Sequence, residues 1–253
     1  MTTEELKDFL DFKAEQYNTP DFIKDDPIQL PHQFRNREDI EIIGFIVATI
    51  AWGNRKAIIK SGEKLIKLMG ESPYEFVMNY EGQPLPFVHR TFNHQDLSFF
   101  ISSLQNIYKK YGSLENAFSL NPSEKGMQQR IMNFREKFLE IRHDPRSDKH
   151  LSNPAKGASA KRINMFLRWM VRNDGRGVDF GIWNSISPSE LYLPLDVHTG
   201  NISRKLGMLT RKQNDWKALE DIQKILIGFD PADPVKYDFA LFGLGAYQEL
   251  ETD

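Results

Sequence analysis

Residues 193–207 read Leu-Pro-Leu-Asp-Val-His-Thr-Gly-Asn-Ile-Ser-Arg-Lys-Leu-Gly and outline one complete helix. An apolar approach and Pro194 come first, Asp196 is placed to open the helix, and Gly207 is placed to end it. An aspartate at a helix N-cap accepts hydrogen bonds from free backbone N–H groups, and the helix dipole favours its negative charge. The stretch therefore predicts a helix that begins with a fixed carboxylate. Capping alone would be a sufficient role for this aspartate.

Helical patterns extend from this stretch over nearly the whole chain. Thr2–Tyr17 opens with a Thr-x-x-Glu capping box, and the almost wholly apolar run Asp39–Trp52 is long enough for a buried central helix. Further helices are expected over residues 55–69, 73–80, 95–111, 123–142, 158–173, 197–206, 214–227 and 234–244, with loops at 20–31, 84–86, 144–153 and 173–191. Because strand alternation is nearly absent, the pattern predicts an all-α fold. We expect residues 1–253 to form a single helical domain, built as two lobes around a central cleft.

Composition excludes several kinds of chemistry. The 253 residues include no cysteine, so disulfides, thiolate zinc sites, cysteine-ligated iron–sulfur clusters and cysteine nucleophiles are all ruled out. The sequence contains no run of about 18 apolar residues, so no membrane partner is expected. The acidic, polar N-terminus is unlike a signal peptide, and together these features predict a cytoplasmic protein.

Charge is distributed unevenly although the net charge is only −2. Between Lys156 and Lys212 there are ten basic and four acidic residues, a local balance of +6, so the rest of the chain sums to −8. Such asymmetry is the electrostatic footprint of a surface that binds a polyanion, although a merely solvated basic face has the same composition.

A second block, residues 154–167, reads Pro-Ala-Lys-Gly-Ala-Ser-Ala-Lys-Arg-Ile-Asn-Met-Phe-Leu. Its small residues predict a turn that leads into an amphipathic helix, with Lys161 in the first helical turn. Backbone N–H groups at such a turn can receive a phosphate, and a lysine amine can act as a nucleophile. A solvated lysine is the commoner outcome for this residue type.

The six histidines predict no metal site. His89 and His94 form the nearest pair, and no carboxylate cluster accompanies them, so we expect no metal and no cofactor. His198 is interpreted mainly as a structural hydrogen-bonding residue.

Together, the two blocks resemble the helix-hairpin-helix (HhH-GPD) DNA glycosylase superfamily, which includes endonuclease III and the 8-oxoguanine glycosylases. The superfamily hairpin typically reads Gly-x-Gly-x-Lys, to which residues 157–161 correspond with Ser159 in place of the second glycine. Its aspartate block reads Val-Asp-(Thr/Val)-His followed by Arg and Leu-Gly, to which residues 195–207 correspond closely. The resemblance covers about residues 38–246. More narrowly, residues 161–172, 193–209 and the block from Asp233 look like an uncharacterised bacterial family, DUF2400.

This resemblance implies a two-lobed HhH-GPD fold and a role in DNA base excision repair. In bifunctional members a lysine, here Lys161, attacks the sugar and forms a Schiff base that can lead to strand cleavage, while an aspartate, here Asp196, stabilises positive charge on the sugar. The partner would be double-stranded DNA with a damaged base flipped out of the stack. Contacts with the DNA backbone would come from Lys156, Gly157, Ser159, Arg162, Arg168 and Arg204. The base pocket would draw on Trp52, Asn54, His198, Tyr237 and Asp238.

Besides Ser159, two further departures from the superfamily pattern accompany these expectations. The spacing from Lys161 to Asp196 is 35 residues, longer than usual, although some archaeal 8-oxoguanine glycosylases have a similarly long gap. The iron–sulfur cluster of endonuclease III is not expected, because the chain has no cysteine. Two other functions stay open at this stage: a nucleic-acid-binding protein that keeps the fold without catalysis, and a helical protein-interaction module. If the protein binds DNA, we expect it at the bacterial nucleoid.

Overall fold

The computed structural model describes residues 1–246, and the regular secondary structure in that range is helical, which confirms the all-α prediction. Two isolated β-bridges, but no strands, occur within residues 1–246. The predicted domain of residues 1–253 extends beyond the described residues at 247–253. The α-helices are α1 (Thr3–Tyr17), α2 (Pro20–Ile23), α3 (Arg37–Ile50), α4 (Arg55–Met69), α5 (Pro73–Met78), α6 (His94–Tyr111), α7 (Leu114–Ala117), α8 (Met127–Phe138), α9 (Lys161–Val171), α10 (Val197–Lys205), α11 (Trp216–Phe229) and α12 (Tyr237–Ala246).

The chain divides into two compact units, each described here by itself. The first unit combines Met1–Phe22 with the chain from Pro154 onward, and the second is Ile23–Asn153. The first unit therefore contains α1 and α9–α12, and the second contains α3–α8. Both sequence blocks that were expected to carry chemistry belong to the first unit.

Helix α12 lies at the centre of the first unit. Its sequence is apolar around most of its circumference, and Phe239 and Leu241 are fully buried. Helix α1 packs closely against it at Gly243, where an added Cβ would lie 2.2 Å from the Tyr17 ring. Helix α10 packs against α12 at Gly245, where an added Cβ would lie 3.2 Å from His198 Cβ. These glycines bring α12 close to its neighbours.

The second unit is built around α3. Every residue from Asp39 to Ile50 is buried, as expected for the apolar run in the sequence. Phe45 of α3 contacts Phe100 of α6 and Phe138 of α8, with ring centroids 5.9 and 5.2 Å apart. Burial of such large aromatic surfaces is the main stabilising contribution available to a helical unit of this size.

Helix α4 matches its predicted bounds. Asn54 caps it by accepting a hydrogen bond from the Ala57 N–H (3.2 Å), and Gly70 (φ +75°) ends it. The buried side of α4 is tied to the unit by a 2.8 Å hydrogen bond between the Ser61 hydroxyl and His89 Nδ1.

None of the helices within residues 1–246 has the length and apolar character needed to cross a membrane.

Candidate functional site

Asp196 caps helix α10 through both its side chain and its backbone. Its Oδ1 accepts a 2.8 Å hydrogen bond from the Thr199 N–H, as the sequence predicts. Its carbonyl oxygen accepts a 2.8 Å hydrogen bond from the Asn214 side chain. Because one carboxylate oxygen is engaged by the cap, the other, Oδ2, is held in a fixed direction. The Asp196 side chain is 18% exposed, so the carboxylate is partly accessible.

The turn before α9 is fixed by backbone contacts. Gly157 adopts a left-handed backbone (φ +87°), and its carbonyl accepts a 2.9 Å hydrogen bond from the Trp216 N–H. Ala160 is also left-handed (φ +51°), a conformation that costs a non-glycine residue roughly 1–2 kcal/mol. The Asn164 side chain donates a 3.0 Å hydrogen bond to the Ser159 carbonyl. These constraints make Lys161 the first residue of the helix, three residues later than predicted.

The structure brings Lys161 and Asp196 together. Lys161 Nζ lies 3.6 Å from Asp196 Oδ2, an ion-pair distance slightly beyond the usual hydrogen-bond range. The Lys161 side chain is 30% exposed, so both members of the pair are partly accessible. The arrangement places a potential nucleophile beside a potential proton acceptor, both open to a substrate.

The long spacing between these two residues is accommodated at the other end of α9. Residues 173–191 fold back over the C-terminal end of the helix, where the Phe180 and Trp183 N–H groups donate to the Trp169 and Met170 carbonyls at 2.8 and 2.9 Å. Trp183 is also buried. The added residues thus cover the end of α9 that lies farthest along the helix from Lys161.

A buried ionic network joins this loop to α9 and α12. Arg168 of α9 is only 4% exposed and pairs with Asp179 of the loop (3.2 Å) and with Asp238 of α12. Arg172 pairs with Asp179 at 3.2 Å and with Asp233 at 2.9 Å. The predicted phosphate contact of Arg168 is therefore corrected: its guanidinium is enclosed in protein and neutralised by carboxylates.

The same network affects the proton affinity of its members. Burial raises the pKa of Asp238 to about 6; Asp196 contributes to the rise, whereas Arg168 opposes it. Burial also raises the pKa of Asp179, against the attraction of Arg168 and Arg172. Asp238 is thus electrostatically coupled to Asp196, although its side chain is buried instead of lining an open pocket.

The other residues that were predicted to contact the DNA backbone differ in how exposed their side chains are. Lys156 is exposed, and Arg162 is partly buried, which lowers the pKa of its guanidinium to about 10. Arg204 donates 2.8 Å hydrogen bonds to the Arg211 and Lys212 carbonyls and a 2.6 Å bond to Asn214. These bonds hold the loop before α11, and the phosphate contact of Arg204 stays a prediction.

The predicted base-pocket residues are also divided. His198 is exposed on α10, whereas Tyr237 is fully buried. Burial and then Asp11 raise the Tyr237 pKa, and this buried position corrects its predicted place in an open pocket. Trp52 and Asn54 belong to the second unit: the Trp52 ring stacks on His150 with centroids 5.9 Å apart, and Asn54 caps α4.

Asn214 is the residue at this site that the sequence interpretation missed. Its amide group binds the Asp196 carbonyl and accepts from Arg204, and it packs so closely on α10 that a Cβ at Gly200 would lie 2.5 Å from it. A glycine inside the predicted helix 197–206 was the only sequence signal of this close approach.

No group of three or more histidine, cysteine, aspartate or glutamate side chains in residues 1–246 is arranged to hold a metal ion.

Comparison with known proteins identifies one family. A family model described as "Protein of unknown function (DUF2400)" matches residues 26–247, which is most of the chain. No curated protein and no solved structure matches the chain significantly.

Proposed function

The chain belongs to the DUF2400 family, and from that premise we propose that it is a DNA N-glycosylase with abasic-site lyase activity. The observation that carries the proposal is the 3.6 Å approach of Lys161 Nζ to Asp196 Oδ2 in a partly exposed site. The HhH-GPD resemblance of the two sequence blocks supplies the reaction class, and we propose the corresponding two-lobed fold with it.

The proposed chemistry begins with transfer of a proton from the Lys161 ammonium to the Asp196 carboxylate. The neutral amine then attacks C1′ of a nucleotide that has been flipped out of the duplex, and the bond from C1′ to the base breaks. The base leaves with the bonding electron pair and takes up the proton of Asp196 as the bond breaks. Asp196 is thereby ionised again while positive charge develops on the sugar, and its carboxylate stabilises that charge.

The lyase step follows from the covalent intermediate. The attacking nitrogen gives up a proton, the C1′–O4′ bond breaks, O4′ is protonated, and a protonated imine joins Lys161 to C1′. The Asp196 carboxylate then takes a C2′ proton, a C2′–C3′ double bond forms, and the C3′–O bond breaks, so that the 3′-phosphate leaves with the electron pair and the strand is cut. Because Asp196 Oδ1 is held by the Thr199 N–H, its Oδ2 stays directed at the amine during these proton transfers. Ser159 lies next to this pair, and its hydroxyl reaches the Leu195 carbonyl at 3.5 Å.

Borohydride trapping tests the proposal because it reduces the imine to a stable amine. Duplexes that contain an abasic site, uracil or 8-oxoguanine are incubated with the protein and borohydride, and a cross-linked band is scored on a denaturing gel. We expect an adduct with at least the abasic duplex. Lys161→Ala should abolish it, and Asp196→Asn should slow its formation by about 10²-fold or more.

Lys217→Ala is the matched control, because it removes an exposed lysine of α11 that has no place in the site. It should form the adduct at the wild-type rate. DNA binding without an adduct on any of these duplexes would overturn the catalytic proposal in favour of a non-catalytic DNA-binding protein. An adduct that persists in Lys161→Ala would assign the nucleophile to another residue.

A further inference from the structure

Helix α4 of the second unit presents a row of lysines to solvent. Lys56, Lys60, Lys64 and Lys67 are all exposed, and their spacing places them within about 80° of the helix circumference. At a rise of 1.5 Å per residue the row is about 16 Å long. Within residues 1–246 none of the four ammonium groups has an ion-pair or hydrogen-bond partner. Glu63 is the one acidic residue on this side of α4.

The opposite side of α4 is fixed against the unit. Ile58, Leu65 and Met69 are buried, and an added Cβ at Gly62 would lie 2.2 Å from the Leu30 side chain. The apolar face is therefore already occupied by protein. A membrane-surface helix needs that face to enter the lipid, so α4 lacks the apolar contribution to membrane binding.

The beginning of α4 adds to the positive potential. Arg55 and Lys56 occupy its first turn, which contains no acidic residue, so these charges lie at the positive end of the helix dipole. This placement is electrostatically unfavourable for the helix itself. Arg90 extends the basic surface, because its guanidinium lies against Gly53, where an added Cβ would be 2.2 Å from Nη1. A bound anion would relieve the mutual repulsion of these groups.

We propose that the lysine row, residues 56, 60, 64 and 67 of α4, is a contact surface for the phosphate backbone of double-stranded DNA. Exposed ammonium groups bind phosphate as point charges, and a row of about 16 Å spans about five nucleotides of one strand at 3.4 Å each. Helix α4 has no aromatic side chain on which unpaired bases could stack. The row therefore suits the phosphate backbone of a duplex better than a single strand. Contacts of this type bind DNA irrespective of sequence.

This inference rests on the proposed function only for the choice of DNA as the anion. The lysine row belongs to a different unit from Lys161 and Asp196, so substitutions in the row and substitutions in the candidate site should have separate consequences. Loss of the row should weaken binding to intact and damaged duplexes equally. Loss of Lys161 should leave binding to intact duplex in place.

The salt dependence of binding tests the proposal on the full chain. The affinity for a labelled, undamaged 30-base-pair duplex is measured by fluorescence anisotropy between about 50 and 200 mM KCl. Each phosphate contact contributes about 0.9 to the slope of log affinity against log salt. The quadruple variant K56Q/K60Q/K64Q/K67Q should therefore reduce the slope by as much as about 3.6. Glu63→Gln should change binding in the opposite direction and tighten it.

The control variant, K109Q/K125Q/K149Q/K217Q, removes the same charge from exposed lysines elsewhere. It should reduce the slope by less than about 1. Equal slopes for the two quadruple variants would overturn the proposal, because net charge alone would then explain the binding. Row-dependent binding to vesicles that contain phosphatidylserine, without row-dependent binding to the duplex, would overturn it in favour of an anionic membrane.

Borohydride trapping separates this result from the proposed function. With protein in excess over an abasic duplex at low salt, the row variant should still form the Lys161 adduct. A wild-type protein with row-dependent DNA binding and no adduct would retain the lysine row and reject the glycosylase. A wild-type protein that does not bind duplex DNA at all would reject both.

Discussion

Helix α9 carries basic residues with acidic partners at both ends, and the two ends are organised in opposite ways. At its start, Lys161 and Asp196 lie 3.6 Å apart and both remain partly exposed. Two turns later, Arg168 is enclosed by Asp179 and Asp238 and is 4% exposed. Charge at the second site is neutralised within the protein, whereas charge at the first remains accessible to a ligand. The difference shows that the pattern of basic residues on a helix does not by itself identify a binding surface.

Replacement of Arg168 should have the largest effect on stability. Arg168→Met leaves the buried carboxylates of Asp179 and Asp238 without the positive charge that pairs with both of them. Removing one partner of a buried ion pair typically costs about 3–5 kcal/mol. The free energy of unfolding from urea titration should fall by that amount. Lys161→Met, at the exposed end of the same helix, should change it by less than about 1 kcal/mol. Equal losses for the two variants would remove the distinction between the ends.

Two helices of the second unit could be predicted closely, α3 from its long apolar run and α4 from its amphipathic pattern between Asn54 and Gly70. The expected helix 55–69 has the observed bounds, and the helix expected at 39–52 is α3, Arg37–Ile50. Predictions were less accurate where local backbone geometry decides the outcome. Helix α9 begins at Lys161 because Ala160 is left-handed, which its residue type does not indicate. The helix expected at 123–142 covers only Met127–Phe138, and the four-residue α7 was not predicted.

The candidate site could be predicted in part for a similar reason. The cap by Asp196 follows from the local sequence, and it is present. The role of Arg168 depends on Asp179 and Asp238, which lie 11 and 70 residues away in the sequence, so local patterns could not identify their pairing. Basic composition alone favoured a surface position for Arg168. Its location between hydrophobic residues of α9 was a weak signal of burial.

The pH dependence of stability should also distinguish the buried end of α9 from its exposed end. The pKa of Asp238 is raised from its ordinary value to about 6, so the folded state favours its protonated form. The stabilisation from this group is present below about pH 4 and is lost as the pH rises through 6. A shift of about two pKa units corresponds to roughly 3 kcal/mol. The stability of the wild type relative to Asp238→Asn should decline by up to that amount between pH 4 and 7.

Urea titrations of both proteins at several pH values measure this change, and other carboxylates cancel in the comparison. Asp215 is an internal reference, because Arg211 and the Ala218 N–H lower its pKa to about 2. Asp215→Asn should therefore show the opposite trend, with the wild type losing its advantage as the pH falls below about 4. A stability difference between wild type and Asp238→Asn that does not vary with pH would contradict the assignment of a raised pKa to Asp238.

The smallest expected effect separates the two roles of Asp196. Asparagine is about as good an N-cap as aspartate, whereas alanine cannot accept a hydrogen bond from the Thr199 N–H. Asp196→Ala should therefore lower the free energy of unfolding by about 1 kcal/mol, and Asp196→Asn should lower it by only a few tenths of a kcal/mol. Both variants remove the negative charge 3.6 Å from Lys161 Nζ, so both should slow formation of the trapped adduct. Stability and adduct formation would then depend on different properties of one side chain. Wild-type adduct formation in Asp196→Asn would mean that capping is the whole contribution of Asp196, and that the accessible end of α9 does not use its charge.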